Sequence, residues 1–545
     1  MSYTERAPTI TYTLIAGFAV FLLFKIAQWV RGTLRPKAFP PGPPIIPGLG
    51  NLLDVPLHKP YLQFHKWSKE YGDAVGIKAG TGNLVILNTP ALVYELFDKR
   101  GATCSDRPDS YVISKHVAYG PEEKQIAILQ YDDYYKRWRK ALQYILASGG
   151  VKRVLPLLEA EACSLTHKLL HGGDKNYVEH LQYWAFAVPL VITVGERLKD
   201  MPPEYMEDFF HAQEEILKLA IPGVAPPVDI FPILKYVPEF CCSWKSHARL
   251  VRQLIVGDAN KFLSGGLKQF KQIQEDPSSV RFQSLLAKIM LDQADGESKQ
   301  KNFSTTELGF AGQGMVAAAV DTTAATLKNL LVTFAAYPDI LAKAQEEVDR
   351  VGNGTPPTSD SLGQLTYLRA CISEILRWRP TTPSAFPHVL TRDESVGGYV
   401  YPKGTMLIAN AWTIHRNEEE YDRPDEFIPE RFIDNPFGMR NVPDVKDASR
   451  RVLYAFGSGR RQCPGELFAY TTISLTLSKL LWAYDILPPP GGVDISVETG
   501  FQDGLVTQPI NPKVLFRLRD EKREGAVVDD LRRSEAISKE ILGDS

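Results

Sequence analysis

The run Phe456-Gly457-Ser458-Gly459-Arg460-Arg461-Gln462-Cys463-Pro464-Gly465 places a single thiol where a helix is about to begin. Unpaired backbone N–H groups and the helix dipole favour negative charge at such a point, so a cysteine there is well placed to be held as its thiolate. Glycines at 457, 459 and 465 remove side-chain bulk and let a flat or bulky partner come close to the backbone. Arg461, two residues before the sulfur, suits an anionic group on that partner. One thiolate with no second cysteine or histidine at zinc spacing fits iron in a macrocycle better than a closed zinc site. A second signal lies upstream, where Asp321, Thr322 and Thr323 interrupt an apolar stretch. A threonine there commonly bonds back to an upstream carbonyl and the acid to a neighbouring element. Beside an iron centre the same pair, about 100° apart round a helix, can carry protons to bound oxygen.

These groups need long elements to position them. Ser304 with Glu307 forms a capping-box pattern, and the run beyond is free of proline until Pro338. This predicts one helix of about 30 residues, roughly 45–50 Å long, crossing a large core. A second helix, expected from near Ser361 to before Pro380, carries Glu374 and Arg377 at the i,i+3 spacing of an ordinary ion pair. A third follows Pro464, whose fixed φ suits a first helical position. Leu84–Leu87 and Thr405–Ala409 read as strands. The expected class is mainly α with a small β part.

Over 545 residues, 62 Lys+Arg stand against 64 Asp+Glu, a net charge of −2 that argues against a nucleic-acid partner. With 44% hydrophobic and 23% charged residues the chain is globular, which excludes general disorder. Cys104, Cys163, Cys241, Cys242, Cys371 and Cys463 are too few and scattered for a disulfide framework and read as reduced thiols. Residues 9–30 are apolar but for Lys25, and as a helix would reach about 33 Å, enough for a hydrocarbon core of about 30 Å. Lys25 can snorkel and Trp29 suits the interface. Arg31, Arg35 and Lys37 follow against only Arg6 before, which places the rest of the chain in the cytosol. A cleaved signal peptide would carry its positive charge ahead of the apolar run. The expected organisation is a transmembrane anchor at 9–30, a Pro-rich hinge at 31–50, one body at 51–520 and a charged, mobile tail at 521–545. Gly48 and Gly50 do not lie between strand and helix as a dinucleotide fingerprint requires, so they do not read as a nicotinamide or flavin site.

The segment around Cys463 resembles the haem-binding loop of the cytochrome P450 superfamily, F-x-x-G-x-R-x-C-x-G, with Phe456, Gly459, Arg461, Cys463 and Gly465 at the fixed positions. Glu374-Ile375-Leu376-Arg377 is similar to the family's E-x-x-R, and Pro429-Glu430-Arg431-Phe432 to the segment that completes its ion-pair network. Ala318-Ala319-Val320-Asp321-Thr322-Thr323 resembles the oxygen-activation motif, with Ala319 where the family often has glycine. The resemblance covers roughly residues 40–515 and implies a cytochrome P450 fold behind an N-terminal transmembrane helix. It implies haem b ligated through iron by Cys463 and bound by Phe456, Arg461, His388, Trp138 and Arg139, with Leu142 where a further basic residue is often found. Glu374, Arg377 and Arg431 are then structural, and Asp321 and Thr322 are the catalytic pair. Pocket walls are expected at 111–118, 216–228, 313–322, 383–386 and 501–506. The implied partners are dioxygen, a small apolar substrate, and an NADPH-cytochrome P450 reductase docking where Arg460 and Arg461 add positive charge, with cytochrome b5 as a further donor. The implied location is the endoplasmic reticulum membrane, single-pass, with the catalytic body on the cytosolic face. The chain looks like fungal enzymes of secondary metabolism, whose substrates include aromatic and polyketide intermediates. Two rivals are a haem-thiolate isomerase or dehydratase that needs no reductase, and a non-catalytic haem sensor.

Overall fold

The computed structural model describes residues 3–170, 175–220, 227–296, 302–440, 450–451 and 453–543; the expected pocket wall at 216–228 therefore lies partly outside the described residues. The helices in the first half are α1 Tyr3–Gly32, α2 Pro60–Tyr71, α3 Pro90–Val93, α4 Asp133–Leu146, α5 Ser148–Lys168, α6 Tyr177–Val194, α7 Glu204–Ala220 and α8 Trp244–Glu275. They continue with α9 Leu285–Ala294, α10 Thr305–Ala336, α11 Pro338–Gly352, α12 Thr366–Trp378, α13 Ala411–Ile414, α14 Glu466–Ala483 and α15 Glu521–Leu542.

The sheets are small. β1 (Ala74–Ala79) and β2 (Gly82–Leu87) form an antiparallel hairpin, β6 (Met406–Ala409) lies parallel to β2, and β3 (His388–Val389) closes the order β1-β2-β6-β3. The two strands expected from sequence are thus direct neighbours, with Leu84 opposite Met406 and Leu87 opposite Ala409. Two hairpins complete the β part, β4 (Glu394–Val396) with β5 (Tyr399–Tyr401) and β7 (Tyr484–Leu487) with β8 (Leu515–Leu518).

The core is organised around α10. The Ser304 hydroxyl accepts from the Glu307 N–H while the Glu307 carboxylate accepts from the Ser304 N–H, so the start of this helix is satisfied on both sides. Most of its 32 residues are buried against α6, α8 and their neighbours, which is why it is apolar nearly all round. At Gly309 a Cβ would stand 2.6 Å from the Ala259 carbonyl oxygen, so glycine there sets how closely α8 can approach. The helix expected from Ser361 is split: residues 359–364 form a 3₁₀ turn, and α12 begins only at Thr366. α14 opens at Glu466, two residues beyond Pro464.

α1 from Tyr12 to Gly32 is exposed and is long and apolar enough to cross a membrane; α10 is long and apolar too, but most of it lies inside the body. Past α1 the Pro-rich segment is tied to the body. The Trp29 indole donates to Gly48 O at 2.8 Å, the Arg35 guanidinium to Pro43 O at 2.6 Å, and the Gly76 N–H to Pro41 O at 2.6 Å.

The C-terminal segment corrects the expectation of a mobile tail, because residues 521–542 form α15, packed on α5. The charges that suggested solvation have interior partners. Lys479 of α14, 1% exposed, donates to Asp530 Oδ2 at 2.6 Å and to Glu159 Oε1 at 3.2 Å, and Arg533 bonds both carboxylates. Burial works against the Lys479 ammonium, yet the surrounding acids leave its pKa raised above 10.5. We expect Lys479→Ala to leave two buried carboxylates with only the half-exposed Arg533 as a cation and cost about 3–5 kcal/mol in a denaturant titration at neutral pH. A group whose folded pKa is raised stabilises fully below its unfolded value. The wild-type advantage should therefore persist below pH 10.5 and be lost as pH rises through the folded value.

Candidate active site

Two single 3₁₀ turns, Tyr454–Phe456 and Gly459–Arg461, lead into α14 and carry Cys463 between them and the helix. The Cys463 N–H donates to Phe456 O at 2.8 Å and closes the loop. The Phe456 ring lies 5.9 Å from that of Tyr470 on the same helix. The glycines serve different ends from those expected. Gly459 has φ 61°, and a Cβ on it would lie 2.1 Å from Phe97 O, so it is needed for loop packing. Gly465 does leave the sulfur clear, its Cβ position meeting nothing within 4 Å but Cys463 Sγ at 3.8 Å. Cys463 is enclosed by the body, yet its side chain remains accessible. Burial pushes the thiol up; the Gly465 N–H and the positive charge of Arg139 act the other way.

Beside the loop lie two buried arginines that form no ion pair among the described residues. Arg461 donates through Nε to Ser105 O at 2.7 Å and through Nη2 to Leu129 O, and its guanidinium sits 3.9 Å from the Tyr135 ring centre. Its Nη1 is buried with no partner among the described residues. Arg107, which sequence reasoning missed, donates through Nε to Ala127 O at 3.0 Å and through Nη1 to Phe386 O at 3.0 Å and Pro387 O at 2.6 Å. Burial, with the charge of Arg461 adding to it, lowers its pKa to about 9. Neither arginine forms an ion pair among the described residues. Such a pair, with a buried donor to spare, fits the carboxylates of a haem. Arg107 carries no periodicity or spacing signal, and only folding brings it to Arg461.

His388 stacks on Phe97 with ring centres 3.9 Å apart and holds Cys104 O through Nδ1 at 2.7 Å. Burial and the charge of Arg107 lower its pKa to about 3, so the neutral ring presents a lone pair at Nε2. It would donate there only once an anion restores its second proton. Trp138 is buried with its ring centre 4.0 Å from that of Phe303 and 6.5 Å from that of Tyr134. It makes no hydrogen bond or ring interaction with Arg461, Arg107 or His388 among the described residues. Arg139 makes no hydrogen bond there and acts on Cys463 through its charge alone. Arg461 also corrects the expected docking face. It is buried, and only Arg460 of that pair is exposed.

On α10 the burial is interrupted at the other expected position. Ala318 is exposed, and Ala317, Ala319, Asp321 and Thr322 are partly so, in the middle of a helix otherwise inside the core. The Thr322 hydroxyl donates to Ala318 O at 2.9 Å, which leaves its lone pairs outward. Burial raises the Asp321 pKa, and the charge of Lys328 opposes this.

The Glu374 carboxylate is completely buried and satisfied four times. It accepts from Arg377 Nε at 2.7 Å and Nη2 at 2.8 Å, from Arg431 Nε at 3.1 Å and from the Ile428 N–H at 2.8 Å. Arg377 also donates to His415 O at 2.9 Å, and His415 Nε2 accepts from the Tyr454 N–H at 3.0 Å, so the network ends on the loop that carries Cys463.

An accessible cysteine at the start of a helix, arginines beside its loop that form no ion pair among the described residues, and an acid–alcohol pair at the accessible stretch of a core helix are together the set that a haem-thiolate protein would use. Comparison with known proteins agrees. A family model described as Cytochrome P450 matches residues 40–516. The chain is 36% identical to the cytochrome P450 monooxygenase grgG of a Penicillium species, over 94% of each chain. It is 31% identical to a cytochrome P450 monooxygenase of Arthrobotrys oligospora, covering 93% of this chain and 94% of that one. It is 30% identical to the cytochrome P450 monooxygenase yanC of Aspergillus niger, covering 91% and 92%. The chain belongs to the cytochrome P450 family, and it is a monooxygenase, an oxidoreductase that incorporates molecular oxygen. Its cofactor is haem.

If the unpaired arginines hold the haem carboxylates, Arg461→Leu and Arg107→Leu should each speed haem loss to a scavenging apoglobin by about tenfold or more. The double variant should lose it faster than either. Unchanged loss rates would remove the arginines from haem retention.

Proposed function

We propose that this enzyme is a membrane-anchored haem-thiolate monooxygenase that oxidises a small apolar organic substrate of secondary metabolism, an aromatic or polyketide intermediate, with electrons from an NADPH-cytochrome P450 reductase. The observation that carries this is the accessible Asp321–Thr322 pair midway along a buried helix. An acid and an alcohol exposed there suit delivery of protons to oxygen, which an isomerase or dehydratase does not require. A haem sensor has no use for them either.

Haem, when bound, supplies reductive activation of dioxygen. The chain supplies the rest. Cys463 provides the ligand sulfur, and Arg461 and Arg107, with His388, meet the carboxylates. Thr322 offers lone pairs while its O–H donates to Ala318 O, and turning the hydroxyl off that carbonyl frees the proton for transfer. Asp321, with its pKa raised by burial, exchanges a proton more readily near neutrality than an exposed acid would. The walls at 111–118, 313–322, 383–386 and 501–506 are mostly apolar, which favours a substrate that binds by burial. The exposed helix from Tyr12 to Gly32 supports a single-pass anchor, and Arg31, Arg35 and Lys37 support a body on the cytosolic face of the endoplasmic reticulum. The exposed Arg460 supports reductase docking on the thiolate side, with cytochrome b5 as an accessory donor.

The reduced, carbon monoxide-treated protein should give the thiolate-type absorption band, and Cys463→Ala should lose it. Oxygen uptake should require NADPH and reductase together; turnover without either would favour the isomerase. Thr322→Ala should lower product formed per NADPH about tenfold or more while keeping the band.

A further inference from the structure

Lys328 is a cation inside the protein that no part of the site above uses. It lies on α10 at 6% exposure, and its ammonium donates to Gln508 Oε1 at 3.0 Å. It forms no ion pair with a carboxylate among the described residues. Placing an ammonium in a core against a neutral amide is unfavourable, and an apolar residue of similar volume would serve packing better. Its position on the helix supplies a reason. Lys328 is seven residues beyond Asp321, which is about 700° of helical rotation and about 10.5 Å of rise, so both lie on one face two turns apart. Helical side chains lean toward the N-terminus, and the long Lys328 stem therefore runs back toward the acid.

We propose that Lys328 is a positioning residue for the proton-transfer step, its ammonium keeping the partly buried Asp321 able to ionise. This rests on Asp321 being the proton-handling acid. Asp321 is partly buried and has no hydrogen-bond partner among the described residues, so no bond from the protein stabilises its carboxylate. From the elements packed around them, the charge that acts on Asp321 is that of Lys328, and the charge that acts on Lys328 is that of Asp321. Burial disfavours both charged forms, and each partner offsets it for the other.

Gln508 gives the ammonium a fixed anchorage. Its carbonyl accepts from the Gln502 N–H at 2.9 Å. The adjacent Thr507 is bonded to the segment after α12, through its N–H to Thr381 O at 2.8 Å and its hydroxyl to Pro380 O at 2.9 Å. An ammonium held from a bonded segment acts on Asp321 without closing into a contact pair, which would lock the carboxylate in its charged form. A proton carrier must pass through both forms, and a charge held at a short remove permits this.

The test is an infrared pH titration of the haem-loaded protein, following the carboxyl band that disappears in Asp321→Asn. Lys328→Met should raise its midpoint by about 1–2 pH units, and Lys328→Arg should bring it back to within about half a unit of wild type. Lys328→Gln, which keeps a polar group on Gln508, should shift it in the same direction as Met and serves if Met does not fold. The acid limb of reductase-supported oxygen consumption should move with the midpoint, a response that loss of packing alone would not give. An unchanged midpoint in both neutral variants overturns the proposal. If the midpoint shifts while Asp321→Asn leaves the solvent isotope effect and the peroxide released per NADPH unchanged, the proton role of Asp321 is what fails.

Discussion

A carboxylate cut off from water, that of Glu374, holds together the half of the molecule that presents the cysteine. Left alone, a buried charge of this kind would destabilise the fold by several kcal/mol. Two guanidiniums and a backbone N–H surround it, and the same Arg377 that neutralises it reaches the carbonyls of His415, Pro424 and Glu426. The meander that returns from α13 therefore cannot shift without breaking charge-assisted bonds. His415, kept neutral by burial and by Arg377, passes the restraint on to Tyr454. Removing Glu374 would thus disturb the Cys463 loop through a continuous series of bonds.

The other half of the site depends on an exception to burial. α10 is almost wholly enclosed, and glycine at 309 lets α8 press against it. Such a helix has no freedom to bend toward a ligand, so its few accessible residues are held in place by everything around them. The acid and alcohol are accessible because their small neighbours, alanines at 317, 318 and 319, leave space. Rigid packing on one face and small side chains on the other give a reactive strip with a fixed orientation.

Much of this was legible in the amino-acid order. The capping box at Ser304, the i,i+3 pair at Glu374 and the cysteine before α14 are local patterns whose geometry follows from helical spacing. The two strands could be seen but not their pairing, since β2 and β6 lie more than 300 residues apart in sequence. Local composition misled at α15, where a charged segment looked solvated because Lys479 and Glu159, its partners, belong to distant helices. It misled again on the docking face, where Arg461, read also as a haem-binding residue, is buried by its bonds to Ser105 and Leu129. Arg107 and Lys328 were invisible for the same reason. Each matters for what lies across a helix or loop from it, and periodicity does not report such neighbours.

The paired arginines also bear on how much of this enzyme a cell can keep. Arg107 and Arg461 lie close enough in a medium of low polarity for their charges to oppose one another, and neither forms an ion pair among the described residues. Any ligand that brings carboxylates there binds the native state and not the unfolded one, so occupancy and folding free energy rise together. Protein made faster than the prosthetic group is supplied would carry that repulsion, open more often, and be removed first by quality control. The amount of enzyme would then follow haem supply with no dedicated regulator, because the electrostatics of two side chains already couple them.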